Sequence, residues 1–175
     1  MIGKTSLLGL SAAALTLAAT PAQANGAIGT DAAACNANDG PAIRVNVSGL
    51  KDRSGRLKLE LWNATEAEFL KDDRDLKRDG QFFRRVWADM PTSGAVTMCI
   101  KAPRPGRYAL LFTHDRDGKN KFNFWQDGAG FPSNTRLGRS RPKLNQAVIN
   151  VPAGVTTTEI KVQYLRGIGG FSPAR

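Results

Sequence analysis

Four stretches of the chain alternate apolar and polar residues with a period of two, and this alternation constrains the fold more than any other feature. Ile43, Val45 and Val47 interleave with Arg44, Asn46 and Ser48, and Leu57, Leu59 and Leu61 with Lys58, Glu60 and Trp62. Val96, Met98 and Ile100 interleave with Thr97 and Cys99, and Ile160, Val162 and Tyr164 with Lys161 and Gln163. Successive side chains of a β-strand point to opposite faces, so each stretch can bury one face and wet the other. That is the pattern of antiparallel strands. Gln81–Asp89, Arg107–Thr113 and Leu144–Val151 complete a set of seven. In the first of these, the doubled Phe82-Phe83 and Arg84-Arg85 leave the inward face open.

Turn chemistry separates the strands. Asp52-Arg53-Ser54-Gly55, Thr92-Ser93-Gly94, Pro103–Gly106 and Pro152-Ala153-Gly154 supply Gly or Pro where a chain reverses. The expected fold is therefore all-β, a seven-stranded antiparallel β-sandwich with one long loop and at most a short helix. The one helix signal is the capping box Thr65-Glu66-Ala67-Glu68, running into Phe69 and Leu70. There is no internal repeat and no β-α-β alternation. His114–Lys143 has no regular period and is rich in Gly, Asn, Arg and aromatics; connections this long are often functional. The tail Arg166–Arg175, with its glycines and a proline, is expected to fray.

The N-terminus reads as a secretory signal. Lys4 supplies the positive start, Leu7–Ala19 an uncharged and largely apolar run, and Ala22-Gln23-Ala24 a cleavage site. That run is shorter than the roughly 20 residues a membrane-crossing helix needs. The expected organisation is a signal over 1–24, an N-terminal arm over 25–40, the sandwich over 41–165 and a flexible tail over 166–175. The protein is expected in the periplasm or outside the cell, with no transmembrane segment. In such an oxidising compartment Cys35 and Cys99 are expected to form a disulfide tying the arm to the sheet. The alternative, a reactive thiol, needs a nearby base, and the chain has one His. That single His, with two Cys, also excludes sites built on two histidines or four thiolates.

Gly106-Arg107-Tyr108-Ala109, followed by His114-Asp115-Arg116-Asp117-Gly118-Lys119-Asn120 and then Gly130-Phe131-Pro132-Ser133-Asn134, carries a family resemblance. With Val45 and Val47 as a preceding strand, the chain over about residues 42–165 resembles the exported bacterial family called domain of unknown function 2141. The resemblance implies an immunoglobulin-like or transthyretin-like sandwich and export, and no established activity. Members often read Asp-x-Asn-x-Asn-Gly-x-x-Asp, similar to a calcium loop of alternating oxygen ligands. Here Lys119 stands at the third ligand position and Asn123 at the last, and an ammonium has no lone pair to give a cation.

Three constellations in and around the long loop carry chemistry. Asp115, Asp117, Asn120, Asn123 and Asp127 offer oxygens, so calcium held by Asp115, Asp117 and Asn123 is one reading. A solvated loop without a cofactor is the expected one. His114, the one candidate general base, falls on the inward face in the alternation of Tyr108, Leu110 and Phe112. No Gly-x-Ser-x-Gly elbow accompanies it, so it is expected to cap the core rather than serve a hydrolase. Phe122, Phe124, Trp125 and Phe131 are expected to fold over the open end of the sandwich, with Trp125 the most accessible.

The charge balance is basic, 25 Lys and Arg against 15 Asp and Glu, and part of the excess is concentrated. Arg136, Arg139, Arg141 and Lys143 fall within one short stretch of the long loop, with Lys119 and Lys121 earlier in it. Concentrated positive charge attracts polyanions by releasing their counterions, whereas a merely high isoelectric point keeps a protein soluble. The expected function is a non-enzymatic binding or accessory role. Trp125, Arg136, Arg139, Arg141 and Lys143 would meet anionic polysaccharide, lipopolysaccharide or phospholipid headgroups. No dedicated nucleic-acid motif is present. A calcium-stabilised structural module is the alternative.

Overall fold

The alternating stretches become strands of two sheets in the computed structural model, which describes residues 26–173; the expected signal over 1–24 lies outside them. In chain order the elements are α1 (Ala32–Asn36), β1 (Ala42–Ser48), β2 (Arg56–Asn63), α2 (Asp73–Arg78), β3 (Phe83–Asp89), β4 (Val96–Lys101) and β5 (Gly106–Asp115). There follow β6 (Gly128–Gly130), α3 (Leu144–Ala147), β7 (Val148–Val151), β8 (Val155–Lys161), β9 (Gln163–Leu165) and β10 (Phe171–Pro173). One sheet has the order β4-β1-β8. The other has the order β10-β9-β6-β5-β2-β3, with β7 also paired to β5.

The expected inward faces form the core between the sheets. Ile43, Val45, Met98, Ile100 and Ile160 pack from one side against Leu57, Leu59, Leu61, Leu110 and Phe112 from the other. Each such side chain, fully buried, contributes roughly 1.5–3 kcal/mol, so a slip of one residue in register would forfeit most of the core. The stretch 160–164, expected as one strand, divides between the sheets. Ile160 lies on β8 beside β1, Val162 donates its N–H to the Ser48 carbonyl at 2.9 Å, and Tyr164 lies on β9 in the opposite sheet.

Several expectations need correction. Not every pair is antiparallel: β1 and β8 run parallel, with Val47 opposite Ile160, because the chain crosses from one sheet to the other at Pro152–Gly154. Leu144–Val151 is half helix, since Leu144 and Ala147 are spaced to share a helical face and both join one apolar cluster. The box at Thr65 gives the turn expected of it, with Phe69 N–H donating to Thr65 O at 3.0 Å. The helix lies beyond, in a charged run: Asp72 caps Arg74 N–H, Asp73 and Asp75 open the helix, and Lys77 and Arg78 close it. That order complements the helix dipole, and Leu76 anchors the element in the interior.

The outer face of the larger sheet is not wet. Lys58 and Glu60 are almost wholly enclosed and pair at 3.2 Å, with Arg85 adding 2.7 Å to Glu60. A second apolar layer covers them, built from Trp62, Phe69, Leu76, Ala129, Phe131, Leu137 and Phe171. This layer also holds the described part of the tail, residues 166–173, expected to fray. Phe171 is buried in it, β10 pairs with β9, and Phe171 and Gly138 exchange two backbone hydrogen bonds. Cys35 and Cys99 are bonded, tying α1 to β4 as expected. No helix among the described residues is long and apolar enough to cross a membrane.

Candidate functional site

The segment 114–143 is two loops pinned by a short strand. β5 continues to Asp115, and Gly128–Gly130 return as β6 between β5 and β9, with His114 opposite Gly128 and Thr113 opposite Ala129. Glycine is required by space at this point. A Cβ on Gly128 would stand 2.5 Å from Tyr164 Cε1 and 2.6 Å from Val162 Cγ1, and one on Gly130 would collide with Ile160. The aperiodic sequence hid this strand because two of its three residues have no side chain to alternate.

His114 lies on the inward face, fully buried, with both ring nitrogens engaged. Nε2 meets the Ser54 carbonyl at 2.8 Å, and Nδ1 meets the Tyr164 hydroxyl at 2.7 Å. A carbonyl only accepts, so the proton is assigned to Nε2, and Tyr164 donates to Nδ1 while accepting from Lys51 N–H at 3.0 Å. Burial holds the imidazole below its usual pKa and pushes the Tyr164 hydroxyl up to about 12. Such a ring has no free nitrogen facing solvent. Asp52 and Arg116 form an ion pair above it, and the Arg116 hydrogen bonds hold the Asp52 carboxyl well below the usual carboxylate range. Neither Tyr164 nor this pair was flagged by the sequence. Asp52 sits in a turn and Arg116 between two other acids, with no spacing that joins them.

The acidic loop assembles differently from its sequence reading. Asp115, Asp117 and Asp127 each bring a carboxylate oxygen within 4.8 Å of the others. Asn123 stands beside them as an organiser: its Nδ2 donates to Asp117 at 3.1 Å, its Oδ1 accepts from Trp125 N–H at 3.1 Å, and its own N–H donates to Asp127 at 2.7 Å. Arg116 N–H donates to the other Asp127 oxygen at 2.8 Å. The Asn123 amide and Lys119 N–H hold the Asp117 carboxyl below its usual pKa, and the Lys119 ammonium lies 3.7 Å away. Arg56 reaches Asp115 Oδ2 at 3.3 Å. The other Asp115 oxygen, Oδ1, is buried with no hydrogen-bond partner among the described residues.

The aromatic loop forms a ridge rather than a second core. Phe131 is buried, Phe122 and Phe124 are partly exposed and pack against Phe171 with ring centroids 6.0 and 4.9 Å away, and Trp125 is 80% exposed. The basic residues lie on the other loop. Arg136, Arg141 and Lys143 line one open cleft of about 320 Å³, together with Thr135, Ser140, Asn145 and Gln146 and no carboxylate. Arg139 is exposed but not part of that lining. Arg141 and Lys143 also flank a neighbouring hollow that Glu66 shares. Among the described residues none of the four basic side chains forms an ion pair.

The cleft has a polar scaffold that the alternation concealed. Gln163, an outward residue of β9, is fully buried; its Oε1 accepts from Leu137 N–H at 3.0 Å and its Nε2 donates to Thr135 O at 2.8 Å. Arg136 between them donates to Gly169 O at 2.9 Å. Gln146 Oε1 accepts from Lys143 N–H at 2.8 Å and fixes the other end of the cleft at the start of α3.

No curated protein and no solved structure matches the chain. The family model of an uncharacterized protein conserved in bacteria, DUF2141, matches residues 45–159, from β1 through both loops to β8. That match takes in the acidic loop, the aromatic ridge and the basic cleft together, and the chain belongs to the DUF2141 family.

Proposed function

We propose that this is an exported, non-enzymatic binding protein whose basic cleft engages anionic groups of polysaccharide, lipopolysaccharide or phospholipid headgroups. The observation that carries the reading is the cleft itself: Arg136, Arg141 and Lys143 converge with four neutral polar side chains, and among the described residues no carboxylate lines it. Guanidinium groups match phosphate, sulfate and carboxylate geometry with two parallel hydrogen bonds, and an unpaired cluster of cations releases counterions on binding. Trp125, standing clear of the surface, offers a stacking face for a sugar ring. The Cys35–Cys99 bond suits an oxidising compartment, which supports export. The engagement of both His114 nitrogens favours binding over hydrolysis.

The test is retention on heparin and on phosphatidylglycerol vesicles, with phosphatidylcholine vesicles as the neutral control. Replacing Arg136, Arg141 and Lys143 together by Gln is expected to lower the eluting salt concentration and flatten its dependence on ionic strength. Arg139→Gln, outside the cleft, is expected to change retention less than Arg141→Gln. Equal effects from the two single variants, or unchanged retention of the triple variant, would refute the cleft as the site.

A further inference from the structure

We infer that Asp115, Asp117 and Asp127 together bind a hard divalent cation, calcium by ligand type. The three carboxylates come from different places, the end of β5, the turn after it and the residue before β6, yet their oxygens lie within 4.8 Å of one another. A calcium ion about 2.4 Å from each ligand spans that separation. Asp115 and Asp127 are 2% and 1% exposed, so water can do little to screen the repulsion of three like charges there. An independent observation points to a ligand: Asp115 Oδ1 is buried with neither a donor nor water access, while Oδ2 of the same carboxylate is taken by Arg56 and Asn120 N–H. A cation in the cluster gives that oxygen the partner it lacks.

The surroundings orient the set as outer hydrogen bonds orient metal ligands elsewhere. Backbone N–H groups of Arg116 and Asn123 grip both oxygens of Asp127, and the Asn123 amide holds Asp117. Each of these oxygens retains a second lone pair for the ion. The cluster contains only oxygen donors, which excludes a preference for zinc or copper. The competing charges are the Arg56 guanidinium, 3.3 Å from Asp115 Oδ2, and the Lys119 ammonium, 3.7 Å from Asp117 on a largely exposed side chain that can swing to solvent. The Lys119 ammonium thus offsets part of the Asp117 charge, and removing it should strengthen binding of the ion.

The experiment adds calcium chloride to chelator-treated full chain and follows Tm, with terbium luminescence sensitised through Trp125 as a second readout. Trp125 shares a surface hollow with Asp117, Lys119 and Asn123, so an ion bound there lies near its ring. At a hundredfold excess over Kd, calcium is expected to raise Tm by about 5–10 °C. Lys119→Asn is expected to increase affinity at least threefold, and Asp117→Asn, at the most accessible ligand, to abolish both signals while leaving the fold intact. An absent Tm shift and absent terbium signal in the wild-type chain would overturn the assignment. So would a shift that survives Asp117→Asn, or one produced by magnesium but not calcium. None of these readouts depends on the anion cleft.

Discussion

Replacing Tyr164 with Phe deletes one oxygen and leaves its ring in the core. That oxygen is the donor to His114 Nδ1 and the acceptor for Lys51 N–H. Lys51 is exposed, and its N–H can turn to water. His114 cannot, because the ring is fully buried and Nε2 is committed to Ser54 O. The variant therefore leaves one buried acceptor unmatched, at a cost of about 1–3 kcal/mol, which in a domain of this size lowers Tm by roughly 2–4 °C per kcal/mol. The pH dependence follows from the same atoms. A histidine whose folded pKa lies below its unfolded value of 6.5 contributes its stability fully above pH 6.5. That contribution is lost as pH falls toward the depressed folded value, at up to about 1.4 kcal/mol per pH unit. The alkaline limb has the opposite sign. Tyr164, pushed up to about 12, favours the fold below pH 10, and about 3 kcal/mol is lost as pH rises through 12. Urea unfolding followed by tryptophan fluorescence at pH 5.5, 8 and 11 follows all three, the last catching about half of the alkaline loss. The reasoning fails if Tyr164→Phe stays within about 0.5 kcal/mol of the parent at pH 8, or if it retains the full alkaline loss.

Two further predictions concern the scaffold. Replacing Cys35 and Cys99 by Ala opens a closed loop with a sequence separation of 64, and about 4 kcal/mol of stability should disappear. A loss under 1 kcal/mol in chemical denaturation would contradict the loop-closure argument. Gly128→Ala puts a methyl group against the Tyr164 ring and Val162, both buried, and should cost about 1–3 kcal/mol by overpacking. Amide exchange should quicken across β6 in that variant, and unchanged protection would contradict the packing argument.

The core between the sheets was legible because it depends on one face of each strand. Leu57, Leu59 and Leu61 announce that face whatever covers the other. What period two cannot disclose is the fate of Lys58 and Glu60: a polar outward residue looks alike whether it meets water or an ion-pair partner under a second layer. That layer draws Trp62, Leu76, Leu137 and Phe171 from distant parts of the chain, each without a local pattern. The same blindness hid the parallel pairing of β1 with β8, since alternation is identical in both senses of pairing. The helix at Asp73–Arg78 was masked for a different reason: it buries a single leucine, so its signal lies in caps and charge order rather than in an apolar stripe.

Both candidate sites depend on β6, and its role is positional. Shortening a loop by half changes its closure entropy by only about 0.6 kcal/mol, so dividing the excursion 114–143 brings little stability through loop length. Its register decides more. With Gly128 opposite His114, the residue before the strand is Asp127, which lies under Arg116 N–H and beside Asp115 and Asp117. The sequence order alone made Asn123 look like the last ligand. With Ala129 opposite Gln163 on the other side, the residues after the strand pass where the Gln163 amide can grip Thr135 and Leu137 and hold Arg136 at the cleft. A shift of one residue in β6 would reverse the faces of Gly128 and Ala129, press a methyl group on Tyr164 and carry Asp127 off its donors. Gly128 and Gly130 are therefore what allows the acidic cluster and the basic cleft to occupy fixed places on one sheet.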